Sequence, residues 1–171
     1  DMGLHVNVGS KGNIYVTGYT EGGLDGNTNS GNRDIFLVKY NSSGTKQWTQ
    51  QLGTPTTEEG NGVVVDSSDN IYVTGWTGGK LETYSGGNDT ILVKYNSSGT
   101  KQWTRQFGAP SFLKRDDEYQ TSQMTTSADI GAGVAVDSSG NIFVTGSTEG
   151  GMDGNTNSGK SDIFLVKYNS M

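Results

Sequence analysis

The sequence has no cysteine, one histidine and two prolines among its 171 residues. Without cysteine, the chain can form no disulfide, no thiolate metal site and no cysteine nucleophile. A Ser-His-Asp triad would have to use His5, beside the first predicted strand, and we interpret this histidine as a packing or solvent-facing residue. No apolar run approaches the roughly 20 residues that a membrane-spanning helix needs, so we predict no membrane span.

Basic charge is also scarce. Lysine and arginine total 12 against 18 aspartates and glutamates, which gives a formal net charge of −6. A nucleic-acid-binding domain normally carries a basic surface that follows the phosphates, so nucleic acid is not an expected partner. The chain begins at Asp1 with no visible signal peptide, and we expect it to be a processed or excised piece.

Glycine, in contrast, is abundant, with 27 residues, and it occurs within an internal repeat. V-N-V-G-S-K-G-N-I-Y-V-T-G starts at Val6, V-V-V-D-S-S-D-N-I-Y-V-T-G at Val63, and V-A-V-D-S-S-G-N-I-F-V-T-G at Val134. Each copy continues through a Gly/Asn-rich loop to a run such as D-I-F-L-V-K-Y. Self-similarity of this kind predicts a repeat architecture.

Each repeat contains the signals of four short strands, which we name A to D. Strand B, at 13–18, is rich in β-branched and aromatic residues, and strand C, at 35–38, is continuously apolar. An N-S-S-G turn at 41–44 leads to a more polar strand D that carries Trp48. Trp103 occupies the same repeat position as Trp48, which predicts a packing role for both.

The predicted fold is therefore all-β, built from β-propeller blades that are four-stranded antiparallel meanders. The chain holds about three blades, and the third lacks its last strand. We assign residues 1–61 to blade 1 with its connector, 62–108 to blade 2, 109–130 to an inserted loop, and 131–171 to the incomplete blade 3.

The words V-D-S-S-G-N-I-F-V-T-G and D-I-F-L-V-K-Y-N-S resemble the bacterial repeat family known as SBBP, the seven-bladed β-propeller repeats. The resemblance covers nearly all of the chain except 109–130. It implies propeller blades, usually in exported proteins, and no defined enzymatic activity. The expected location is extracellular or at the bacterial cell surface.

Three blades are fewer than the four of the smallest typical propeller ring. An open stack would expose an apolar blade face and an unpaired strand edge, both of which favour association with another chain. We therefore expect either a homo-oligomer or a part of a longer chain that closes the ring.

The B–C and D–A loops lie at one end of such a meander, and they are the long and variable ones. Loops on a rigid scaffold commonly form binding sites, although these could also be simple solvated connectors. The predicted binding face consists of Glu21, Asp25, Arg33, Glu58, Glu59, Lys80, Glu82, Tyr84, Phe112, Arg115, Asp117, Tyr119, Glu149 and Asp153.

Two of these loops carry the pattern D-G-N-T-N-S-G, which is similar to a calcium-binding loop. The candidate ligands are Asp25, Asn27, Asn29, Asp153, Asn155 and Asn157. The glycine comes one place late and no glutamate stands at the twelfth position, so the alternative is an Asn/Gly turn without metal. We predict no other cofactor.

The pattern as a whole predicts a non-enzymatic module that presents its loop-rich face to a protein or glycan. One alternative is a carbohydrate-active hydrolase or lyase that uses carboxylates of the loop face, with Asp116 and Asp117 opposite Glu58 and Glu59. Another is a purely structural segment of a larger surface protein.

Overall fold

The computed structural model describes residues 1–116, 121–152 and 154–169, without the side chains of 112–116 and 121–125. The described residues are all β. The strands are β1 (Met2–Val8), β2 (Ile14–Thr20), β3 (Asp34–Tyr40), β4 (Lys46–Leu52), β5 (Glu58–Val65), β6 (Ile71–Thr77), β7 (Asp89–Tyr95), β8 (Lys101–Phe107), β9 (Phe112–Asp116), β10 (Thr121–Thr125), β11 (Asp129–Val136), β12 (Ile142–Thr148) and β13 (Asp162–Tyr168). This part of the chain has no helix long and apolar enough to cross a membrane.

The strands form three antiparallel meanders, in the orders β1-β2-β3-β4, β5-β6-β7-β8 and β11-β12-β13. The predicted blades of four, four and three strands are thus confirmed. A fourth, two-stranded sheet, β9-β10, is a hairpin inserted between the second and third blades. The insertion at 109–130, predicted as a loop, therefore contains strands. β5 and β11 also begin before the predicted blade starts at 62 and 131.

Four of the five described short turns are held by the side chain that opens them, and the exception opens with Gly9. In the A–B turn of blade 2, the Asp66 carboxylate accepts hydrogen bonds from the backbone N–H groups of Ser68 and Asn70, at 2.9 and 2.8 Å. Asn41 does the same for Ser43 and Thr45 in a C–D turn, at 3.1 and 2.8 Å. Such local bonds favour Asp and Asn at turns, which explains the repeated D-S-S-G-N and N-S-S-G-T words.

The blades stack face to face, and β5 packs against β1 on one side and β11 on the other. Alternate residues of a strand point to opposite faces of its sheet. Ile91 and Val93 of β7 accordingly join the core between blades 1 and 2, whereas Leu92 joins the core between blades 2 and 3. The continuous apolar run of strand C is explained, because both of its faces are buried.

Strand D contributes an aromatic ring to each of these cores. Trp48 lies 6.4 Å from the Tyr15 ring and Trp103 lies 6.2 Å from the Tyr72 ring, measured between ring centroids. The packing role predicted for both tryptophans is confirmed.

The stack is open, and its two end faces expose apolar side chains. Val6 and Val8 of β1 are 57% and 61% exposed on the first blade. Ile163 and Leu165 of β13 are 91% and 71% exposed on the third. Leu92, which holds the same repeat position as Leu165, is fully buried. Each end blade has one neighbouring sheet and lacks a second.

The pair Leu92 and Leu165 separates the effect of blade stacking from the effect of residue type. We expect Leu92→Ala to lower the free energy of unfolding by about 2–5 kcal/mol, because it leaves a cavity between two sheets. Leu165→Ala, made as the matched control, should change it by less than about 0.5 kcal/mol at an exposed site. Urea titration in dilute solution measures both, and equal losses would contradict the arrangement.

Candidate functional site

The two ends of the stack differ in character. One end, here called the turn end, carries the short A–B and C–D turns. The other, the loop end, carries the B–C loops at 21–33, 78–88 and 149–161, together with the D–A connections. The predicted binding face belongs to the loop end.

Backbone hydrogen bonds join the first two B–C loops to the D–A connections that follow them. Arg33 and Thr57 form a parallel bridge, and the Glu58 N–H donates to the Arg33 carbonyl at 2.9 Å. Asn88 and Ala128 form the same bridge at the next junction. The sheets therefore fix the position of the loop-end backbone at both described junctions.

Three of the predicted residues meet in one ion-pair cluster at the first junction. The guanidinium of Arg33 donates to the Glu21 carboxylate at 3.1 Å and to the Glu59 carboxylate at 2.6 Å. It also lies over the Tyr19 ring, 4.2 Å from the centroid. The hydrogen bond to Glu59 raises the pKa of Arg33 further above its ordinary value. We call Tyr19, Glu21, Arg33 and Glu59 the Arg33 cluster.

Glu58 is not part of that surface. Its side chain is fully buried, and its carboxylate accepts hydrogen bonds from the Thr54 N–H at 2.7 Å and from the hydroxyls of Thr54, Thr56 and Thr77 at 2.6–3.0 Å. Burying a carboxylate requires such partners. The prediction of Glu58 as a surface residue is therefore wrong. Its buried carboxylate holds the D–A connection together through these hydrogen bonds.

Asp25 also lies away from the Arg33 cluster. Its carboxylate pairs with Lys46 and accepts from the Thr49 hydroxyl at 2.5 Å. Lys46 begins β4 just after the C–D turn, so the 21–33 loop folds down along strand D. The hydrogen bonds from Lys46 and Thr49 lower the pKa of Asp25. The predicted position of Asp25 at the loop end is therefore wrong, because Asp25 lies at the side of the blade.

The other described candidates are spread over the second and third blades. Glu82 pairs with Arg105 at 3.3 Å and accepts from the Gln106 N–H at 3.1 Å. Tyr84 is 48% exposed, and Lys80 and Glu149 are exposed. Phe112 and Arg115 belong to β9, where only the backbone is described; Asp117, Tyr119 and Asp153 lie outside the described residues.

The B–C loops have one structural role that was not predicted from the sequence. Leu81 packs against the core between blades 1 and 2, and Met152, at the same loop position, packs against the core between blades 2 and 3. The N–H of the equivalent Leu24 donates to the Gln51 side chain at 3.0 Å. The sequence signal for this role is an apolar residue at the same position of three otherwise polar loops.

A second missed feature is a set of fully buried carboxylates at the blade junctions, Asp34, Asp89 and Asp129. Asp89 accepts from the Ser85 N–H at 2.9 Å and from the Gln106 side chain at 2.8 Å. Burial raises the pKa of Asp89, and the nearby Asp129 carboxylate raises it further. The pKa of Asp129 is also raised, again mainly by burial.

The calcium pattern of the first loop has local uses for its side chains. Beyond the contacts of Asp25, the Asn27 amide donates to the Leu24 carbonyl at 2.8 Å, and the Asn29 amide donates to the Gly31 carbonyl. Within the described residues, no group of three or more histidine, aspartate or glutamate side chains could hold a metal ion. The metal-free Asn/Gly turn and the calcium loop both stay predictions to be tested.

The turn end, which is outside the predicted binding face, carries a polar cleft of about 250 Å³ between blades 2 and 3. Its lining residues include Asp66, Tyr72, Lys94 and Asp137. The equivalent place between blades 1 and 2 is crossed by the ion pair of Lys11 and Asp69. Their repeat equivalents at the second junction are serine and glycine, which leave the cleft open.

Comparison with known proteins agrees with this architecture. The family model SBBP, described as a Beta-propeller repeat, matches residues 47–82 and 102–151, together half of the chain. The chain belongs to the SBBP family of β-propeller repeats. The predicted resemblance is confirmed, and the sheets described above are propeller blades.

The SBBP chain is also similar to an uncharacterized WD repeat-containing protein of Acanthamoeba polyphaga mimivirus. The two are 24% identical over 168 residues, which cover 87% of this chain. The chain spans about a tenth (11%) of the length of that relative. A repeat scaffold is the functional statement that both comparisons support.

The buried Asp89 generates a prediction about pH. Its pKa in the folded blade lies above the ordinary value of about 3.9, so the folded chain is penalised at pH 7 and relieved as the pH falls through the raised pKa. Asp89→Asn should therefore raise Tm at pH 7, and the gain should shrink towards pH 4. Thermal melts of both chains across this window measure it.

Asp137 provides a control of opposite sign. Hydrogen bonds from Asn141 lower its pKa, so its contribution to stability is present above the unfolded pKa and is lost as the pH falls. Asp137→Asn should lower Tm at pH 7. A gain in Tm from Asp137→Asn, or a loss from Asp89→Asn, would contradict these assignments.

For calcium, we expect millimolar Ca²⁺ to leave Tm unchanged, because Lys46 already neutralises the Asp25 carboxylate. Melting curves with CaCl₂ and with EDTA make the measurement. The opposite result is a rise in Tm that EDTA reverses and that disappears in Asp25→Asn.

Proposed function

We propose that the chain acts as a non-enzymatic β-propeller scaffold whose loop end binds a protein or glycan partner. The proposal rests on one observation. The loops at this end are variable and exposed, yet their backbone is held in a fixed geometry. The bridges at Arg33–Thr57 and Asn88–Ala128 tie the loops to the blades. A loop backbone held in this way loses little conformational entropy on binding.

The chemistry of the loop end suits a polar partner with an apolar or planar group. The Arg33 cluster combines a cation, two carboxylates and the Tyr19 ring on one patch. Tyr84, on the next blade, exposes an aromatic ring. Arginine and tyrosine are enriched where protein interfaces concentrate their binding energy, and aromatic rings with nearby carboxylates also suit sugars.

The enzymatic alternative has less support. It needs two carboxylates opposed across a substrate, and the proposed pairs included Glu58 and Glu59. Glu58 is buried in hydrogen bonds to threonines, and Glu59 pairs with Arg33. Neither is placed as a general acid or base in the described residues, which favours the scaffold over the hydrolase or lyase.

The proposal includes an extracellular or bacterial cell-surface location and a closed ring. Ring closure would cover the apolar end faces, because Val6 and Leu165 repeat the positions of Val63 and Leu92, which are fully buried between blades. A second copy of the chain, or further blades of a longer chain, would supply the neighbouring sheet.

The experiment is a glycan and protein array probed with the tagged chain and with loop-end variants. We expect binding to fall about ten-fold in Arg33→Ala or Tyr84→Ala, a loss typical of one interface residue that contributes strongly. Ser138→Ala, at the turn end, is the matched control and should bind normally. A further variant replaces 112–125 by Gly-Ser and keeps the buried Ala109 and Asp129.

Two results would contradict the proposal. The first is binding that all loop-end variants retain while Ser138→Ala loses it, which would move the site to the turn end. The second is turnover of an arrayed glycan by the purified chain, which would favour the enzymatic alternative.

A further inference from the structure

The A–B turns of adjacent blades lie side by side at the turn end, and the two blade junctions differ in the side chains that meet there. Between blades 1 and 2, the Lys11 ammonium pairs with the Asp69 carboxylate. By repeat position, Ser68 and Gly140 take their places between blades 2 and 3. Among the described residues, no ion pair crosses this second junction between the A–B turns.

The backbone of the turns is the same in all three blades. Asp69 has a φ of 63°, and its glycine equivalents Gly12 and Gly140 have 76° and 80°. A left-handed conformation is uncommon for a residue other than glycine, yet Asp69 adopts it at the place where its carboxylate meets Lys11. The two junctions thus differ in side chains and not in turn geometry.

The second junction is open as the polar cleft of about 250 Å³ described above. Pockets for drug-sized ligands measure about 300–1,000 Å³, so this cleft suits one small polar molecule. Its walls carry charges of both signs, the carboxylates of Asp66 and Asp137 and the ammonium of Lys94.

The Asp137 carboxylate has an acceptor position that its equivalent in blade 2 has already used. The Tyr72 hydroxyl donates to Oδ2 of Asp66 at 3.1 Å. Phe143 stands at the tyrosine position in blade 3, and Oδ2 of Asp137 accepts from the Asn141 amide at 2.7 Å. Because a carboxylate oxygen has two lone pairs, Asp137 can accept one further hydrogen bond from a ligand.

Lys94 supplies donors on the opposite side of the cleft. Its ammonium lies 5.5 Å from the centroid of the Tyr72 ring. Lys39, at the same repeat position, donates to the Ser97 carbonyl at 3.0 Å. An ammonium has three N–H donors, so one such bond from Lys94 would still leave two for a ligand.

We infer that this cleft binds a free α-amino acid, whose ammonium pairs with Asp137 and whose carboxylate pairs with Lys94. The first junction shows which groups belong at this place, because the chain itself puts an ammonium and a carboxylate there, those of Lys11 and Asp69. A zwitterion brings the same two groups to the second junction. The site lies at the turn end and is separate from the proposed binding face at the loop end.

The probe is L-alanine, which carries both charges and has only a methyl side chain, added to the full ¹⁵N-labelled chain in a buffer without zwitterions. We expect saturable shifts of the backbone amide signals of 66–70 and 137–141. L-Alaninamide lacks the carboxylate and N-acetyl-L-alanine lacks the ammonium. Each should bind at least about ten-fold more weakly, because one charged wall of the cleft stays unpaired.

A closed variant tests the position of the site. Ser68→Lys combined with Gly140→Asp rebuilds the first junction's ion pair at the second junction, on a turn backbone that Asp69 already adopts. It should lower the affinity for L-alanine more than ten-fold. The matched control, Lys11→Ser combined with Asp69→Gly, makes the reverse exchange at the first junction and should leave the shifts of 137–141 and the affinity unchanged. Thermal melts check that both variants are folded.

Three results would each overturn the inference. The first is the absence of saturable shifts at 66–70 and 137–141 with L-alanine. The second is equal affinity for L-alanine and for either singly charged analogue, measured on the unmodified chain. The third is undiminished binding by the folded closed variant.

Discussion

The structure depends on burial of both faces of each sheet. The third strand of the second blade reads T-I-L-V and is apolar on both faces, so its burial needs a neighbouring sheet on each side. The second blade has both neighbours, and Ile91, Leu92 and Val93 are all fully buried. The first and third blades each have one, and their other faces expose Val6 and Leu165. Stacking is thus the source of stability and also the reason why the ends of the stack favour association.

Polar chemistry at the junctions sets how the blades meet. Towards the loop end, the blades bury the carboxylates of Asp34, Asp89 and Asp129 and the side chain of Thr77. Asp89 and Asp129 belong to adjacent blades. Both of their carboxylates lie close to Gly108, in the connection between those blades. A side chain larger than glycine would displace those carboxylates. Loops that begin from such a framework take a defined geometry, which is what a binding surface requires.

Much of the fold was predictable, because repetition, turn residues and two-sided hydrophobicity all indicate the same meander. The site was less so. Glu58 and Glu59 are adjacent in sequence, yet strand alternation buries the first and brings the second to Arg33. The ion pair between Asp25 and Lys46 forms because the 21–33 loop folds over β4. Composition alone does not predict how that loop folds. The Gln106 side chain donates to the Gly79 carbonyl and the Asp89 carboxylate and accepts from the N–H groups of Leu81 and Glu82. These partners lie in the B–C loop and in β7, so the role of this glutamine depends on the folded loop.

The central claim is that the three sheets stack as successive propeller blades, which are arranged around a common axis. Distances between equivalent turns test it most directly. Ser10, Ser67 and Ser138 occupy the same exposed place in the three A–B turns, and the chain has no cysteine that would interfere with labelling. Spin labels at pairs of these positions, measured by pulsed electron paramagnetic resonance, should give two similar short distances for 10–67 and 67–138. The 10–138 distance should be longer than either and shorter than their sum. A 10–138 distance equal to that sum, or shorter than both neighbours, would contradict the account.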